Sequence, residues 1–349
     1  MHLLGELEAR ARELLDVAHY DYFAGGAGDE QTLAENAAAW RKVWIRPRVM
    51  VDVSVIDTSC TLLGRRLELP VLLAPMAAQR LLHADGEPGA ARAAGAAGTV
   101  YCLSTRATAD LAEVAAAATG PLWFQLYVDR DRERTERVLA RVAEHGFAAV
   151  LLTVDLPVGG RRERERRHLD VPFPDGVALV SHLGHDLERR HSAIGGWDAA
   201  LEWKDVAWIR DASGLPVIVK GVLCAEDADA ALDAGADAIV VSNHGGRQVD
   251  GCVPTAVALR EVAAAVAGRA PVLVDGAIRD GADVLRALAL GADAVLVGRP
   301  YAWGLATGGE AGVRRVLDAF ADDLRRTLAL AGCPTLAAID GRRVQLAGW

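Results

Sequence analysis

The stretch AEDADAALDAGADAIVV (residues 225–241) joins a helix-forming segment to a strand-forming segment through Gly235 and Ala236. The stretch GADVLRALALGADAVLV (281–297) repeats the arrangement. The alanine-rich part of each stretch is typical of a helix, the glycine suits the end of that helix, and the closing apolar run has the length of a buried strand. The repeat therefore predicts alternating helices and parallel strands.

Short apolar runs alternate with such helical segments from residue 70 onward. Most of the runs are continuous, as expected of parallel strands that are covered on both faces. Strands are predicted at 70–76, 99–104, 122–127, 148–155, 216–222, 238–244, 271–278 and 294–299. Eight strand–helix units within about 240 residues predict an α/β fold, a closed (β/α)8 TIM barrel. A doubly wound open sheet is the alternative.

Residues 1–349 are expected to form a single domain, because no low-complexity linker divides the chain. Residues 1–69 are predicted to be a helical N-terminal extension of the barrel. Residues 158–213 form one long insertion between the fourth and fifth strands. An irregular insertion of this length on a regular scaffold is typical of an active-site lid or of a disordered segment.

The composition argues against several classes of protein. The net charge is −9, with 38 basic and 47 acidic residues, so broad nucleic-acid binding is not expected. No apolar run approaches the roughly 18 residues of a membrane span. The N-terminal segment MHLLGELEARARELL predicts an amphipathic helix instead of a targeting sequence. The five cysteines are scattered without a CxxC pair, which is typical of reduced thiols. A soluble cytoplasmic protein that binds no membrane is expected.

Polar side chains follow nearly every predicted strand. Because barrel active sites lie at the carboxyl ends of the strands, these side chains are expected to converge on one mouth. The main candidates are Ser104, Gln125, Tyr127, Thr153, Asp155, Lys220, Ser242, His244, Arg247, Asp275, Arg279 and Arg299. Taken singly, such residues could be caps, satisfied core groups or surface ion pairs, and Lys220 could extend to solvent. Their convergence from eight strands predicts a functional site.

The seventh and eighth strand ends indicate a bound phosphate. VDGAIR (274–279) and VGRP (297–300) place glycines and arginines where barrels commonly hold a phosphate on backbone N–H groups. No GxxxxGK[ST] sequence is present, so ATP bound through a Walker loop is not expected. A phosphorylated ligand or cofactor is predicted.

A metal site is not predicted. His182, His185 and His191 lie close together in the insertion, but no cysteine or carboxylate pattern accompanies them.

A series of motifs in the sequence resembles the pattern of one protein family. SNHGGRQVDG (242–251) occurs with TVDLPVGGRRE, FQLY, VKGV, VDGAIR and VGRP. With YDYFAGGAGDEQTLAEN (20–36) and the LAGC segment (330–333), they resemble the FMN-dependent α-hydroxy-acid oxidases and dehydrogenases. The resemblance covers the chain except for about residues 165–200. It implies a TIM barrel that binds FMN and oxidises an (S)-2-hydroxy acid to the 2-oxo acid.

The resemblance also implies roles for individual residues. His244 would be the base that removes a proton as two electrons pass to flavin N5, and Asp155 would stabilise its imidazolium. Arg162 and Arg247 would bind the substrate carboxylate, for which a guanidinium is well shaped. Hydrogen bonds to the substrate would come from Tyr22 and Tyr127, and the charge beside the flavin from Lys220.

The same resemblance implies the FMN-binding residues. Ala77, Ser104, Gln125, Thr153 and Ser242 would contact the ring or the ribityl chain. Asp275 would bind ribityl hydroxyls. The residues around the phosphate would be Gly276, Arg279, Gly298 and Arg299.

Three positions depart from the pattern of the family. Ala277 replaces a glycine in VDGAIR, which places a methyl group near the phosphate loop. We expect the loop to tolerate this methyl group, with weaker retention of FMN as the alternative outcome. Met76 stands where a smaller residue or threonine is common. Arg106 in STRAT (104–108) replaces an aromatic or small residue that shapes the substrate side-chain pocket. Arg106 either faces solvent or selects a substrate whose side chain carries a second anion or a strong hydrogen-bond acceptor.

The final electron acceptor is left open by the sequence. Oxygen, giving H2O2, is favoured, since neither a haem domain nor a membrane-inserting segment is evident in the sequence. A quinone- or protein-linked dehydrogenase and a decarboxylating monooxygenase are alternatives within the family. An FMN-dependent isomerase is the alternative from another reaction class. Relatives are commonly tetramers, so a homotetramer is expected.

Overall fold

The N-terminal residues form a layer of helices and short strands before the first barrel strand. The computed structural model describes residues 2–180 and 196–347 of the chain. The N-terminal elements are α1 (His2–Leu14), α2 (Val17–Ala24), α3 (Gln31–Arg41), β1 (Val43–Ile45), β2 (Cys60–Leu62) and β3 (Arg65–Leu67). The Asp250 carboxylate accepts hydrogen bonds from the backbone N–H groups of Asp29, Gln31 and Thr32 at the start of α3. This cap holds the extension against the mouth of the barrel, because Asp250 lies in the loop after the sixth barrel strand.

Eight parallel strands close into a barrel, which confirms the TIM-barrel prediction over an open sheet. They are β4 (Val71–Leu73), β5 (Tyr101–Ser104), β6 (Leu122–Leu126), β7 (Ala149–Thr153), β8 (Val217–Val222), β9 (Ala238–Val241), β10 (Val272–Val274) and β11 (Ala294–Val297). Each lies inside its predicted range. Five predicted ranges extended two to four residues past the observed end, because residues such as Asp155 and His244 leave the hydrogen-bonded ladder at the mouth.

Alternate residues of the barrel strands point into two different cores, which explains why the strands are continuous apolar runs. Leu72, Leu151 and Leu273 belong to the cluster inside the barrel. Their neighbours along the strands, such as Val71 and Val150, pack against the surrounding helices. The β2–β3 hairpin adds Leu62 and Leu67 to the inner cluster.

Helices follow the strands around the outside of the barrel. They are α4 (Gly86–Ala96), α5 (Leu111–Ala117), α6 (Arg132–Glu144), α7 (Glu163–Arg166), α8 (Asp205–Ser213), α9 (Ala225–Asp233), α10 (Thr255–Val266), α11 (Gly281–Ala289) and α12 (Arg299–Ala331). The last helix bends at Gly308 and Gly309, whose backbone dihedrals are not helical. The chain returns to the extension through β12 (Val344–Leu346), which pairs antiparallel with β1.

The insertion after β7 is attached to the barrel mouth on both sides of the stretch that lies outside the described residues. The Val180 N–H donates to the Ala107 carbonyl at 2.8 Å, and Gly196 O accepts from Arg130 N–H at 2.8 Å. Trp197 also forms an antiparallel bridge with Asp129. The described parts of the insertion therefore dock on the loops that follow β5 and β6.

The described residues show neither a candidate membrane-spanning helix nor a candidate metal site. Residues 2–180 and 196–347 contain no helix with the length and apolar character that a membrane crossing requires. They also contain no group of three His, Cys, Asp or Glu side chains suited to a metal ion. His182, His185 and His191 lie outside the described residues.

Candidate active site

A cleft opens at the carboxyl ends of the barrel strands. It holds about 1170 Å³ of space, open solvent at its mouth included, whereas small-molecule sites commonly range from about 300 to 1,000 Å³. Most of the predicted site residues line it: Tyr22, Ala77, Ser104, Arg106, Gln125, Tyr127, Thr153, Arg162, Lys220, His244, Arg247, Asp275, Gly276, Arg279, Gly298 and Arg299. Asp155 and Ser242 lie behind this wall, where each is hydrogen-bonded to residues that line it.

His244 and Asp155 form a largely buried pair. The imidazole Nδ1 lies 2.9 Å from Asp155 Oδ1, and Nε2 lies 3.5 Å from the Tyr127 hydroxyl. Burial lowers the pKa of His244 below its usual value, although the Asp155 carboxylate partly offsets this effect. Burial alone would raise the pKa of Asp155, but His244 and Lys220 together keep that pKa below its ordinary value. A neutral imidazole that donates Nδ1–H to a carboxylate leaves Nε2 able to accept a proton from a ligand.

The backbone holds His244 in an uncommon conformation. Its φ is 58°, in the left-handed region that a residue with a side chain rarely adopts. The Ser242 hydroxyl accepts a hydrogen bond from the His244 N–H at 3.0 Å. A strained backbone fixed in this manner is typical of a residue that is positioned for function.

Lys220 is buried at the end of β8 and does not extend to solvent. Its ammonium donates to Ser242 Oγ at 2.8 Å and lies 3.2 Å from Asp275 Oδ2. Burial opposes its charge, but the carboxylates of Asp275 and Asp155 raise the pKa of Lys220 above its usual value. The base of the cleft therefore carries a permanent positive charge.

Arg247 and Arg162 lie on the same wall as His244. Arg247 donates to the Tyr22 and Gly25 carbonyls, and its guanidinium lies 5.2 Å from the centre of the Tyr22 ring. Burial and the nearby Arg162 lower the pKa of Arg247 to about 10. Arg162 donates to Glu165 Oε2 at 3.2 Å. Glu165 thus balances part of this positive charge, and Arg247 stays ionised near neutral pH.

A second group of cations lies at the ends of β10 and β11. Arg299 donates to the carbonyls of Phe23, Gly25 and Gly245. Burial, followed by repulsion from Arg247 and Arg279, lowers the pKa of Arg299 to about 9. Within the described residues neither Arg279 nor Arg299 forms an ion pair with a carboxylate. Buried cations that form no ion pair with a carboxylate favour the binding of an anion between them.

The comparisons with known proteins agree with this geometry. The family described as FMN-dependent dehydrogenase matches residues 11–346. Among curated relatives, glycolate oxidase 1 of Oryza sativa subsp. indica is 46% identical over 343 residues, which cover 96% of this chain and 93% of the relative. The chain belongs to the FMN-dependent dehydrogenase family.

Two further relatives support the same assignment to the FMN-dependent dehydrogenases. L-lactate oxidase of Nostoc sp. is 45% identical, with 97% of this chain and 96% of the relative covered. A solved structure of a mandelate oxidase mutant with the C4a-OH-FMN adduct is 43% identical and has a TM-score of 0.90. That comparison covers 98% of this chain and 99% of the other.

The cleft suits the FMN that its family binds. Asp275 Oδ1 is buried without a hydrogen-bond partner, as expected of an oxygen that would accept from a ribityl hydroxyl. Arg279 and Arg299 would supply the positive charge that a phosphate needs, next to the backbone of Gly276 and Gly298. Between these ends, Gln125 accepts from Ser104 at 3.1 Å and donates to Thr153 at 3.1 Å, which orients three polar groups toward the ring position.

The structure also places the three positions that depart from the family pattern. Ala277 has a φ of 63°, so its methyl group carries the steric cost of the left-handed region inside the phosphate loop. Met76 lines the cleft, and its Sδ lies 3.4 Å from the point where a Cβ on Gly298 would be. Arg106 is half-buried and lines the cleft as well.

Several residues of the site were not found by sequence reasoning. Glu165 pairs with Arg162, but in the sequence it is one of several acids within a charged run. Leu156 and Trp197 line the cleft, and the Trp197 ring lies 5.2 Å from that of Tyr127. The only available signal for Leu156 was its position next to Asp155. Trp197 had no such signal, because its place depends on the path of the insertion.

Proposed function

We propose that this protein is an FMN-dependent oxidase that converts an (S)-2-hydroxy acid to the corresponding 2-oxo acid. The observation that carries the proposal is that His244 lines the same cleft as the guanidiniums of Arg247 and Arg162. A base next to a carboxylate-binding pair fits a 2-hydroxy acid, whose carboxylate is adjacent to the carbon that is oxidised. Relatives named for glycolate, L-lactate and mandelate support the substrate class.

Different residues of the cleft bind the substrate and accept its proton. Arg247 and Arg162 bind the substrate carboxylate and hold the α-carbon beside His244. His244 Nε2 accepts a proton as the substrate loses two electrons, and Asp155 stabilises the resulting imidazolium. Bound FMN supplies the two-electron acceptor of the reaction. Tyr127, whose hydroxyl lies 3.5 Å from Nε2, donates a hydrogen bond to the reacting oxygen.

Lys220 lies at the base of the cleft and favours the transfer of electrons from the substrate. Its ammonium is fixed by Ser242 and Asp275 and cannot leave the base of the cleft without losing both contacts. A positive charge fixed before the reaction begins stabilises negative charge that develops next to it. Lys220 therefore favours the reduced form of a bound flavin.

We infer that molecular oxygen is the final acceptor and that H2O2 is formed. The relatives that match over most of both chains are named oxidases, which favours oxygen over a quinone or a protein partner. A decarboxylating monooxygenase is the alternative that keeps the same first half-reaction. An isomerase is disfavoured, because it has no use for two guanidiniums arranged around a carboxylate.

Assembly and location stay predictions. Association of subunits would bury apolar side chains that are strongly exposed on the described chain, among them Trp44, Val49, Met50, Val55 and Leu330, as in the expected homotetramer. Light scattering of the purified protein would measure the mass of the particle. The expected cytoplasmic location would be tested by cell fractionation.

The proposed reaction is tested by mixing the holoprotein anaerobically with a panel of (S)-2-hydroxy acids and then admitting air. Bleaching of the flavin absorbance by at least one acid is expected. Rapid recovery in air, with H2O2 and the 2-oxo acid as products, would support an oxidase. Recovery only with an artificial quinone would indicate a dehydrogenase, and a decarboxylated product a monooxygenase. No bleaching by any 2-hydroxy acid would contradict the proposal.

A further inference from the structure

Glu165 is a buried acid that lies beside both guanidiniums of the carboxylate-binding pair. It belongs to α7, the short helix at the start of the insertion. Its Oε2 accepts a hydrogen bond from Arg162 Nη1 at 3.2 Å and lies 3.9 Å from Arg247 Nη2. The side chains of Glu165 and Arg162 are only 8% and 7% exposed. One carboxylate oxygen is thus shared by the two cations on which substrate binding depends.

The other partners of the two guanidiniums carry no charge. Arg162 Nε donates to the Arg247 carbonyl at 3.1 Å, and Arg162 Nη2 lies 3.4 Å from Gln248 Oε1. Arg247 Nη1 donates to two backbone carbonyls at the end of α2. Within residues 2–180 and 196–347, Glu165 is the only carboxylate that forms an ion pair with either guanidinium. The charge of the pair is therefore set largely by Glu165.

The charge of Glu165 acts directly on the substrate carboxylate. Two guanidinium cations and one carboxylate leave a single net positive charge, which matches the single negative charge of the substrate carboxylate. A carboxylate at Glu165 also repels that of the substrate, because both lie against the same guanidiniums and the site is shielded from water. Glu165 therefore weakens the binding of the substrate carboxylate.

The same charge has the opposite effect on proton removal. Burial is the main cause of the low pKa of His244, and the charges of Lys220 and Arg162 lower that pKa further. The imidazolium that forms when His244 accepts the proton is thus repelled by nearby cations. A negative charge at Glu165 offsets part of this repulsion in the state in which it matters for the rate.

From this arrangement we propose that Glu165 is a positioning residue that holds Arg162 in place and lowers the positive charge of the carboxylate-binding pair, which weakens substrate binding and speeds proton removal. The inference rests on the proposed oxidase function and adds to it a residue that acts through Arg162 and Arg247. A group that disfavours the bound substrate relative to the transition state raises the rate at saturation. Glu165 accordingly moves affinity and rate in opposite directions.

The first test measures binding without turnover. Glu165→Gln keeps the size of the side chain and an oxygen that can accept from Arg162, but it removes the charge. Acetate has no hydroxyl group to oxidise, and its dissociation constant follows from the change in flavin absorbance when the holoprotein is titrated. Acetate is expected to bind about threefold or more tightly to Glu165→Gln than to the wild type. If Glu165 only maintained the structure, its replacement would weaken acetate binding or leave it unchanged, and either result would overturn the proposal.

The second test measures the rate at saturating substrate. The substrate is the 2-hydroxy acid of the panel above that bleaches the wild-type flavin fastest. The limiting rate constant of anaerobic flavin reduction in Glu165→Gln is expected to be lower by about threefold or more, while the substrate concentration that gives half of this rate also falls. An unchanged or higher limiting rate constant would overturn the proposal.

Two further variants separate the charge at Glu165 from other effects. Glu163 is the matched control, because it lies on the same helix, is 41% exposed and pairs with Arg161. Glu163→Gln should leave both constants unchanged, and equal changes in this variant would contradict the proposal. Glu165→Asp keeps the charge, so its dissociation constant for acetate should stay within about twofold of the wild type. Tightening in Glu165→Asp as large as that in Glu165→Gln would exclude the charge as the cause.

The acetate titration keeps the failure of this inference separate from that of the proposed function. If a 2-hydroxy acid bleaches the wild-type flavin and acetate binds no more tightly to Glu165→Gln, only the role of Glu165 fails. If no 2-hydroxy acid bleaches the wild-type flavin, the proposed function fails and the inference with it.

Discussion

The Asp155→Asn substitution tests how much the buried ion pair contributes to proton removal. The variant keeps the size of the side chain and removes its charge from a position 2.9 Å from His244 Nδ1. Two unit charges at this distance attract each other by about 6 kcal/mol at an effective dielectric constant of about 20. The amide retains part of this energy as a hydrogen bond, so a loss of about 3–5 kcal/mol is expected, in line with the removal of one partner from a buried pair.

This attraction is lost only in the state in which His244 has accepted the proton, so the substitution raises the energy barrier to proton removal. We therefore expect the limiting rate constant of anaerobic flavin reduction in Asp155→Asn to fall by about 10²–10⁴-fold. FMN binding and the dissociation constant of an unreactive carboxylate should change little, because Asp155 lies behind the wall of the cleft. Stopped-flow absorbance at saturating substrate gives the rate constant, and absorbance titration gives the binding constant.

The pH dependence provides a second measurement of the same contact. His244 acts in its neutral form, so the rate constant should fall as pH decreases through a pKa that burial places below the usual histidine value. Asp155 raises that pKa, and its replacement by asparagine should move the fall in rate to still lower pH. A variant with the wild-type rate constant, or with a fall in rate at higher pH, would refute this reasoning.

Three further substitutions test other parts of the cleft. Lys220→Met removes the ammonium next to Asp275, so a spectroelectrochemical titration should show a flavin midpoint potential lower by about 30–60 mV; an unchanged potential would exclude this role. Arg299→Met should weaken FMN binding by about tenfold or more in fluorescence titrations, whereas Arg161→Met at the exposed rim should not weaken it. Ala277→Gly relieves a φ of 63° and should raise the free energy of unfolding by about 0.5–1 kcal/mol in urea and tighten FMN binding. Ala267→Gly, at a φ of 50° after α10, should give a similar gain in stability without an effect on FMN.

The barrel could be predicted from the sequence because both faces of its strands are buried. The continuous apolar runs, such as the one around Leu151, have this cause. The sequence did not show where each strand ends, because Asp155 and His244 come shortly after strand-forming residues. Both residues lie beyond the hydrogen-bonded part of their strands, at the mouth of the barrel. Strand limits depend on backbone hydrogen bonds that a residue pattern does not record.

The site could be predicted in part for the same reason. A closed barrel brings all strand ends to one mouth, so Lys220 and Asp275 are expected to be neighbours once the fold is known. The contact between Asp155 and His244 joins positions 89 residues apart, and its role came from the resemblance to a family. The positions of Glu165 and Trp197 depend on the path of the insertion, which follows no repeating pattern.

The proposed function depends on proton removal by His244 in a cleft that also holds FMN and a carboxylate-binding pair. Its most direct measurement is anaerobic flavin reduction in the wild type and in His244→Ala, each loaded with FMN to a measured ratio. We predict that a 2-hydroxy acid bleaches the wild type, whereas His244→Ala keeps its FMN and stays yellow. Comparable bleaching in the variant, or a wild-type protein that does not bind FMN, would contradict the account.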